Sequence, residues 1–284
     1  MSQVSVVIPT HNRSHILQKT LGSYLNDPCV LEVIVVDDGS TDNTLKMLEE
    51  NFGTNPRVLV CSQSNSGAPS ARNHGIAKVS INTSHIFFGE DDAFIDENAI
   101  SILLQEMEAI KADIAAGRLV PIHSAEAERI SPAVHISKSN PVNLNFMRAN
   151  FKIDTGQPVV VPFVHALFLA KKWVFEHVAF DTAYFGNAYR EETDFCIEAV
   201  KHGAKVVYCP DSLLFHIEAK QGGQRRITRF EYEYAILKNN WYFLNKHYDF
   251  LKTKYKILTP KVCLQGALVV RRIYLALTKV IKSV

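Results

Sequence analysis

The sequence predicts an α/β domain of three layers, a mostly parallel mixed sheet between two layers of helices, followed by C-terminal helices. Three observations carry this expectation. Short β-branched runs recur, a segment with helical spacing follows each run, and the connections between them are polar and rich in turn residues. VSVVI (4–8) is the first run and is closed by Pro9, after which SHILQKTLGSYL (14–25) repeats apolar residues at helical spacing. EVIVV (32–36) is the second, and DDGSTDNT then supplies Thr41 or Asp42 as N-cap for LKMLEENF. RVLVC (57–61) precedes the helix-like APSARNHGIAKV, and SHIFF (84–88) makes a fourth strand.

Residues 121–158 read as an irregular region interrupted by Pro121, Pro132, Pro141 and Pro158. A connection this long in a compact domain points to a functional loop region. Regular structure resumes with PVVVPFVHALFLAKKWVFEHV (158–178), expected as a strand leading into a helix, and EETDFCIEAVKHG is expected as a helix stopped at Gly203 before the strand KVVYC. Helical spacing returns in RFEYEYAILKNNWYFLNKHY and in the segment opened by Pro260, dividing the chain into 1–228 and a helical extension, 229–284.

Composition narrows the function classes. With 47% hydrophobic and 21% charged residues in 284, the chain suits one large soluble domain with an appendage. A net charge of +2 gives no overall attraction to nucleic acid, so any electrostatic function is local. Five cysteines without a CxxC pair suit reduced thiols in the cytoplasm, with neither a disulfide framework nor a zinc site. No signal peptide and no spanning helix are expected.

In mostly parallel sheets, ligands sit beyond the carboxyl ends of the strands. Here the strand-end segments PTHNR, DDGSTDN and GEDDAF are all polar, and NSGAPSARN adds Arg72 to the same neighbourhood. Glu90, Asp91 and Asp92 end an apolar run in three mutually repelling charges. Either a solvated turn or a hard divalent cation accounts for them, and crowding without a cation raises carboxylate pKa values at a cost in stability. Asp38 suits the imide N–H of a pyrimidine or the amino group of another base, whereas Asp42 suits capping. Glu191, Glu192 and Asp194 fit the positive end of a helix, which can also aim one carboxylate at a substrate hydroxyl. His216 reads as a structural group unless it lies near Asp92, and Arg72 as the partner of an acid or of a base or diphosphate.

VSVVIPTHNR, VIVVDDGSTDNT, NSGAPSARNHG, FFGEDDAFID and REETDFCIEA with VVYCPDSLLFH stand in the order and spacing of known proteins. Across residues 3–245 the chain resembles inverting family 2 glycosyltransferases of the GT-A fold. EYEYAILKNNWYFLNKHY resembles the helical tail of bacterial rhamnosyltransferase-like members, which build surface polysaccharides. The resemblance implies that Pro9, Thr10, Asn12, Asp38 and Arg72 hold the nucleoside of a nucleoside-diphosphate sugar, with Asp91 near its ribose. It places Asp92 on a Mn2+ or Mg2+ ion, with Glu90 in place of the usual first aspartate of the DXD motif and His216 as a further ligand. Glu191 and Glu192 occupy the position of a Glu-Asp pair whose second acid is the base, which favours Glu192.

The implied acceptor is a glycan or lipid-linked oligosaccharide, faced by the 121–158 region and by Arg225, Arg226 and Arg229. The last helix, with Lys261, Arg271, Arg272, Lys279 and Lys282, suits peripheral contact with the inner face of the plasma membrane. Packing on the domain, or on a second subunit in a homodimer, explains it equally well. One rival function is a non-catalytic nucleotide-sugar-binding module in which the glutamates at 90 and 192 mark lost activity. A nucleotidyltransferase would need a glycine-rich loop where PTHNR stands, and a dinucleotide oxidoreductase a GxGxxG, which follows no strand.

Overall fold

The structure, a computed structural model, describes residues 3–127, 129, 136–217 and 228–281. The β-branched runs form β1 (Val4–Thr10), β2 (Val30–Asp37), β3 (Val58–Ser62) and β4 (His85–Phe88), separated by α1 (Ser14–Asn26), α2 (Thr44–Phe52) and α3 (Ala68–Ile76). β1 pairs in parallel with β2 and β4, and β2 with β3. β1, β2 and β4 are mainly apolar because both of their faces are covered, whereas β3 lies at the sheet's edge and is only half-buried. Val7, Ile34, Val36 and Phe88 enter one core, while Val6, Ile8, Val35 and Phe87 enter the core on the opposite face.

Along the second half run β5 (Ala93–Ile95), α4 (Ala99–Ile110), β6 (Ile114–Ile122), the small strands β7 (Val142–Asn143), β8 (Arg148–Ala149) and β9 (Val159–Val160), then β10 (Phe168–Lys171). A 3-10 turn at Lys172–Glu176, α5 (Glu191–Lys201), β11 (Val206–Ile217), α6 (Arg229–Tyr255) and α7 (Lys261–Ile281) complete the order. The main sheet runs β3-β2-β1-β4-β10-β6-β11-β5, with β9 beside β11. β10 is antiparallel to both its neighbours, so the sheet is mixed. Leu17, Leu21, Leu48, Ile100 and Leu103 from α1, α2 and α4 cover one face. Ala71, Ile197, Val200 and Phe243 from α3, α5 and α6 cover the other. On that face Phe88 lies 4.9 Å from Phe168 and 5.0 Å from Phe180, and Phe180 stacks on Phe195 at 4.5 Å. Burial of each such ring contributes roughly 1.5–3 kcal/mol.

Three expectations change. Residues 158–178 do not form one strand and a helix: Pro162 interrupts the run, β9 and β10 are separate, and only a 3-10 turn follows. The second helix opens at Thr44, later than an N-cap at Thr41 or Asp42 implies, although Asp42 Oδ1 still accepts the Thr44 N–H at 3.0 Å. The 121–158 region holds a short hairpin, β7–β8, while residues 128 and 130–135 lie outside the described residues. Among the described residues no helix is long and apolar enough to cross a membrane.

Candidate active site

β4 and β5 are consecutive in the chain yet lie on either side of β10, β6 and β11 in the sheet. The acidic turn is the crossing between them. It can leave β4 only through Gly89, where a Cβ would stand 2.9 Å from Ile8 and 3.0 Å from the Tyr24 ring. α1 then fixes its main chain. The Tyr24 hydroxyl donates to the Glu90 carbonyl at 3.0 Å and accepts the Glu90 N–H at 3.2 Å, while Thr20 Oγ1 donates to the Asp91 carbonyl at 2.9 Å.

With the backbone pinned, the three carboxylates take different partners. Asp91 accepts from Thr10 Oγ1 at 2.8 Å, and buried Asp92 faces Arg13 Nη1 at 3.4 Å. Pairing of β11 with β5 sets His216 opposite Ala93, and the Ile217 N–H donates to the Asp92 carbonyl at 2.9 Å. This register brings His216 Nε2 to 3.4 Å from both Glu90 Oε2 and Asp92 Oδ1. One ligand atom from each of Glu90, Asp92 and His216 lies within 4.8 Å of the others. Two carboxylate oxygens and an imidazole nitrogen at this spacing fit a divalent cation chemically.

Crowding spreads the proton affinities apart. Burial alone would raise Glu90, but the hydrogen bond and charge of His216, with Arg72, hold it at about 2. Burial beside Asp92 pushes Asp91 up to about 7, against the opposing pull of Arg13. His216 is held at about 9 because the three carboxylates outweigh its burial. His165, by contrast, is driven down to about 4 by burial. Its Nδ1 accepts the Leu167 N–H at 3.2 Å, which assigns the proton to Nε2, donating to the Gly117 carbonyl at 2.8 Å.

On the other side of the sheet's edge, the expected nucleoside contacts shape loops. Asp38 accepts Gln63 Nε2 and the N–H groups of Ser66 and Gly67, each at 2.8 Å. Asn12, at φ +55°, accepts the N–H groups of Thr41 and Asp42 at 2.7 and 3.1 Å. His11 stands between them, with Nδ1 2.8 Å from the Asp38 carbonyl and Nε2 2.8 Å from Asn12 Nδ2. Pro9 is half-buried near the end of β1.

Arg72 joins the two acidic clusters. It is buried, pairs with Glu191 on α5 and lies 3.9 Å from Glu90, with its guanidinium 5.4 Å from the centre of the Phe180 ring. Burial lowers its proton affinity, and Glu90 and Glu192 oppose that shift. Glu192 sits half-buried in the first turn of α5. Burial raises its pKa, against Arg72 and Arg190, and among the described residues it has no ion pair. Asp194 is fully buried and accepts from Tyr184 at 2.9 Å, His247 at 2.6 Å and Lys246 at 3.0 Å, which ties α5 to α6. Arg229 is exposed at the start of α6, and Arg225, Arg226 and Lys282 lie outside the described residues.

Sequence reasoning missed His11, Arg13, Thr20, Tyr24 and His165. Arg13 and His11 stood in the quoted PTHNR segment and needed only the fold to aim them. Tyr24 and Thr20 looked like ordinary core positions of an amphipathic helix, and their hydroxyl bonds leave no periodic signal.

A mixed α/β sheet with its hard-ligand cluster on a strand-crossing turn defines the class, the GT-A fold. The structure superposes on GalNAc-T7, solved with UDP, GalNAc and Mn2+, at TM-score 0.69 and 18% identity, over 92% of this chain and 52% of that one. Residues 1–349 of S. aureus TarS superpose at 0.56 and 16% identity, over 89% and 73%. The chain belongs to glycosyl transferase family 2, whose profile matches residues 5–170. It is 38% identical over 106 residues to a chondroitin synthase of Pasteurella multocida (strain Pm70), covering 36% of this chain and 11% of that protein. Similarity to a poly(ribitol-phosphate) beta-glucosyltransferase of Bacillus spizizenii is 25% over 269 residues, covering 89% and 41%. The matched stretch spans only 10% to 18% of the first curated relatives.

Proposed function

We propose that this chain is an inverting glycosyltransferase that moves a sugar from a nucleoside-diphosphate sugar to a hydroxyl of a glycan or lipid-linked glycan in polysaccharide biosynthesis. The convergence of Glu90, Asp92 and His216 from the crossing turn and β11 carries this reading, with Glu192 in the first turn of α5 making no ion pair among the described residues. Glu90, Asp92 and His216 would hold Mn2+ or Mg2+, which when bound neutralises the charge of the departing nucleoside diphosphate. Thr10 and Asp91, linked to each other, lie toward the ribose. Pro9, Asn12, Asp38 and Arg72 shape and line the nucleoside side. Glu192 accepts the proton of the acceptor hydroxyl as that oxygen attacks the anomeric carbon. Its neighbour Glu191 is taken up by Arg72, which favours Glu192 as the base.

One displacement inverts the anomeric configuration without a covalent intermediate. A lipid-linked acceptor places the work at the cytoplasmic face of the plasma membrane. Thermal-shift screening of nucleotide sugars with manganese or magnesium identifies the donor, and release of nucleoside diphosphate is then measured. Release that is lost in Asp92→Ala supports the enzyme. Tight donor binding with no release under any acceptor would leave a binding module instead.

A further inference from the structure

The α6–α7 connection and the β7–β8 hairpin come from distant parts of the chain, yet they are bolted together. Asn145 in the hairpin accepts the Leu258 N–H at 3.0 Å through its side chain, and its carbonyl accepts from Thr259 Oγ1 at 2.9 Å. Both segments hold large apolar side chains out to solvent at this junction: Leu258 is 86% exposed and Phe146 57%. α7 continues the surface. Its inner side is fixed by buried Leu264 and by Arg272, which grips Glu233 with two bonds of 2.6 Å, while Val270 and Tyr274 stand 68% and 64% exposed. A recess between hairpin and helix is lined by Phe146, Arg148, Leu264, Ala267, Leu268 and Arg271.

The sequence of these segments is basic. Residues 250–284 contain Lys252, Lys254, Lys256, Lys261, Arg271, Arg272, Lys279 and Lys282 and no carboxylate side chain, and residues 142–152 contain Arg148 and Lys152 and none. Exposed apolar tips beside Arg148, Lys256 and Arg271 suit an interface between negative headgroups and acyl chains. A second copy of the chain would set like charges against each other.

We propose that the β7–β8 hairpin, the α6–α7 connection and the outer side of α7 together form a docking surface for an anionic lipid bilayer. Phe146, Leu258, Val270 and Tyr274 enter the headgroup boundary, and Arg148, Lys256 and Arg271 contact lipid phosphates. The hairpin belongs to the acceptor-side region of the proposed reaction, so docking brings that region to the membrane. Docking itself does not depend on which sugar is moved, and it is read by binding rather than turnover.

The test is co-sedimentation of the full chain with phosphatidylcholine vesicles containing phosphatidylglycerol, against pure phosphatidylcholine vesicles. Binding is expected only to the anionic vesicles and is weakened by salt. Arg148→Glu with Arg271→Glu lowers partitioning by at least about fivefold per position. Leu258→Asp lowers it without altering the thermal unfolding midpoint, which separates docking from folding. Equal behaviour on both vesicles, or unchanged binding by the charge-reversed variant, overturns the proposal. So does a dimer in light scattering that the same substitutions dissociate, since the surface would then join two copies.

Discussion

Two clusters of three carboxylates stand on either side of Arg72, and the same residue type does different physical work in each. In the crossing turn, Glu90, Asp91 and Asp92 sit on a main chain pinned by Tyr24 and Thr20, and their side chains meet His216, Thr10 and Arg13. At the start of α5, one acid is neutralised by Arg72 and another is buried under Tyr184, Lys246 and His247, and among the described residues Glu192 has no ion pair. An acidic triplet in a sequence therefore says little until the partner of each member is known. The unpaired member is the one available for proton transfer, and the converging members are those available to a cation.

The largest expected effects separate the clusters by step. Asp92→Ala should lower transfer by at least about a thousandfold, with loss of metal-dependent stabilisation by the donor. Glu192→Gln should lower turnover by about 10²–10⁴-fold while donor and metal still raise the thermal midpoint. Steady-state rates and thermal shifts on the same two proteins check both statements. Equal loss of donor binding in both variants would erase the distinction between the clusters.

Arg72 supports both sides, and its removal should cost fold stability. Arg72→Met leaves Glu191 buried without a counter-charge and should destabilise by about 3–5 kcal/mol in urea unfolding. Adding Glu191→Leu should restore most of that loss. If the double variant is no better than the single one, the pair is not what holds α3 against α5.

Much of this comparison was legible in the sequence. Four apolar runs marked β1 to β4 and the layered class, since β1, β2 and β4, covered on both faces, need no polar alternation. Glu90, Asp92, His216 and Arg72 were all singled out before the fold placed them together. What could not be read was register. Whether His216 meets Asp92 depends on β11 pairing with β5 so that Ala93 faces His216, a contact more than a hundred residues apart. Asp194 was hidden for the opposite reason: a helix-dipole account was sufficient for its position, so nothing in the local pattern marked the buried network with His247.

Asp194 supplies the next smaller effect. Asp194→Asn keeps the shape but weakens the bonds from Lys246 and His247, and should cost about 1.5–3 kcal/mol in urea unfolding. Turnover per folded molecule should change far less than in Glu192→Gln. A matching collapse of turnover would move Asp194 from the α5–α6 joint into the chemistry.

The smallest effect concerns Glu192 as a stability term. Burial raises its pKa in the folded chain above that in the unfolded chain, so the folded state binds this proton more tightly. Its contribution is fully present below the unfolded glutamate range and is lost as pH rises through the raised folded value. Above that value the parent carries a half-buried charge that Glu192→Gln does not. The variant should therefore unfold at higher urea than the parent at neutral pH, and the gap should close on acidification through the glutamate range. The acidic limb of kcat/KM should fall at the same raised value in the parent, since a base must be deprotonated to act. A stability gap that does not vary with pH would mean that Glu192 is solvated like a surface carboxylate, and the contrast with its paired neighbours would lose its physical basis.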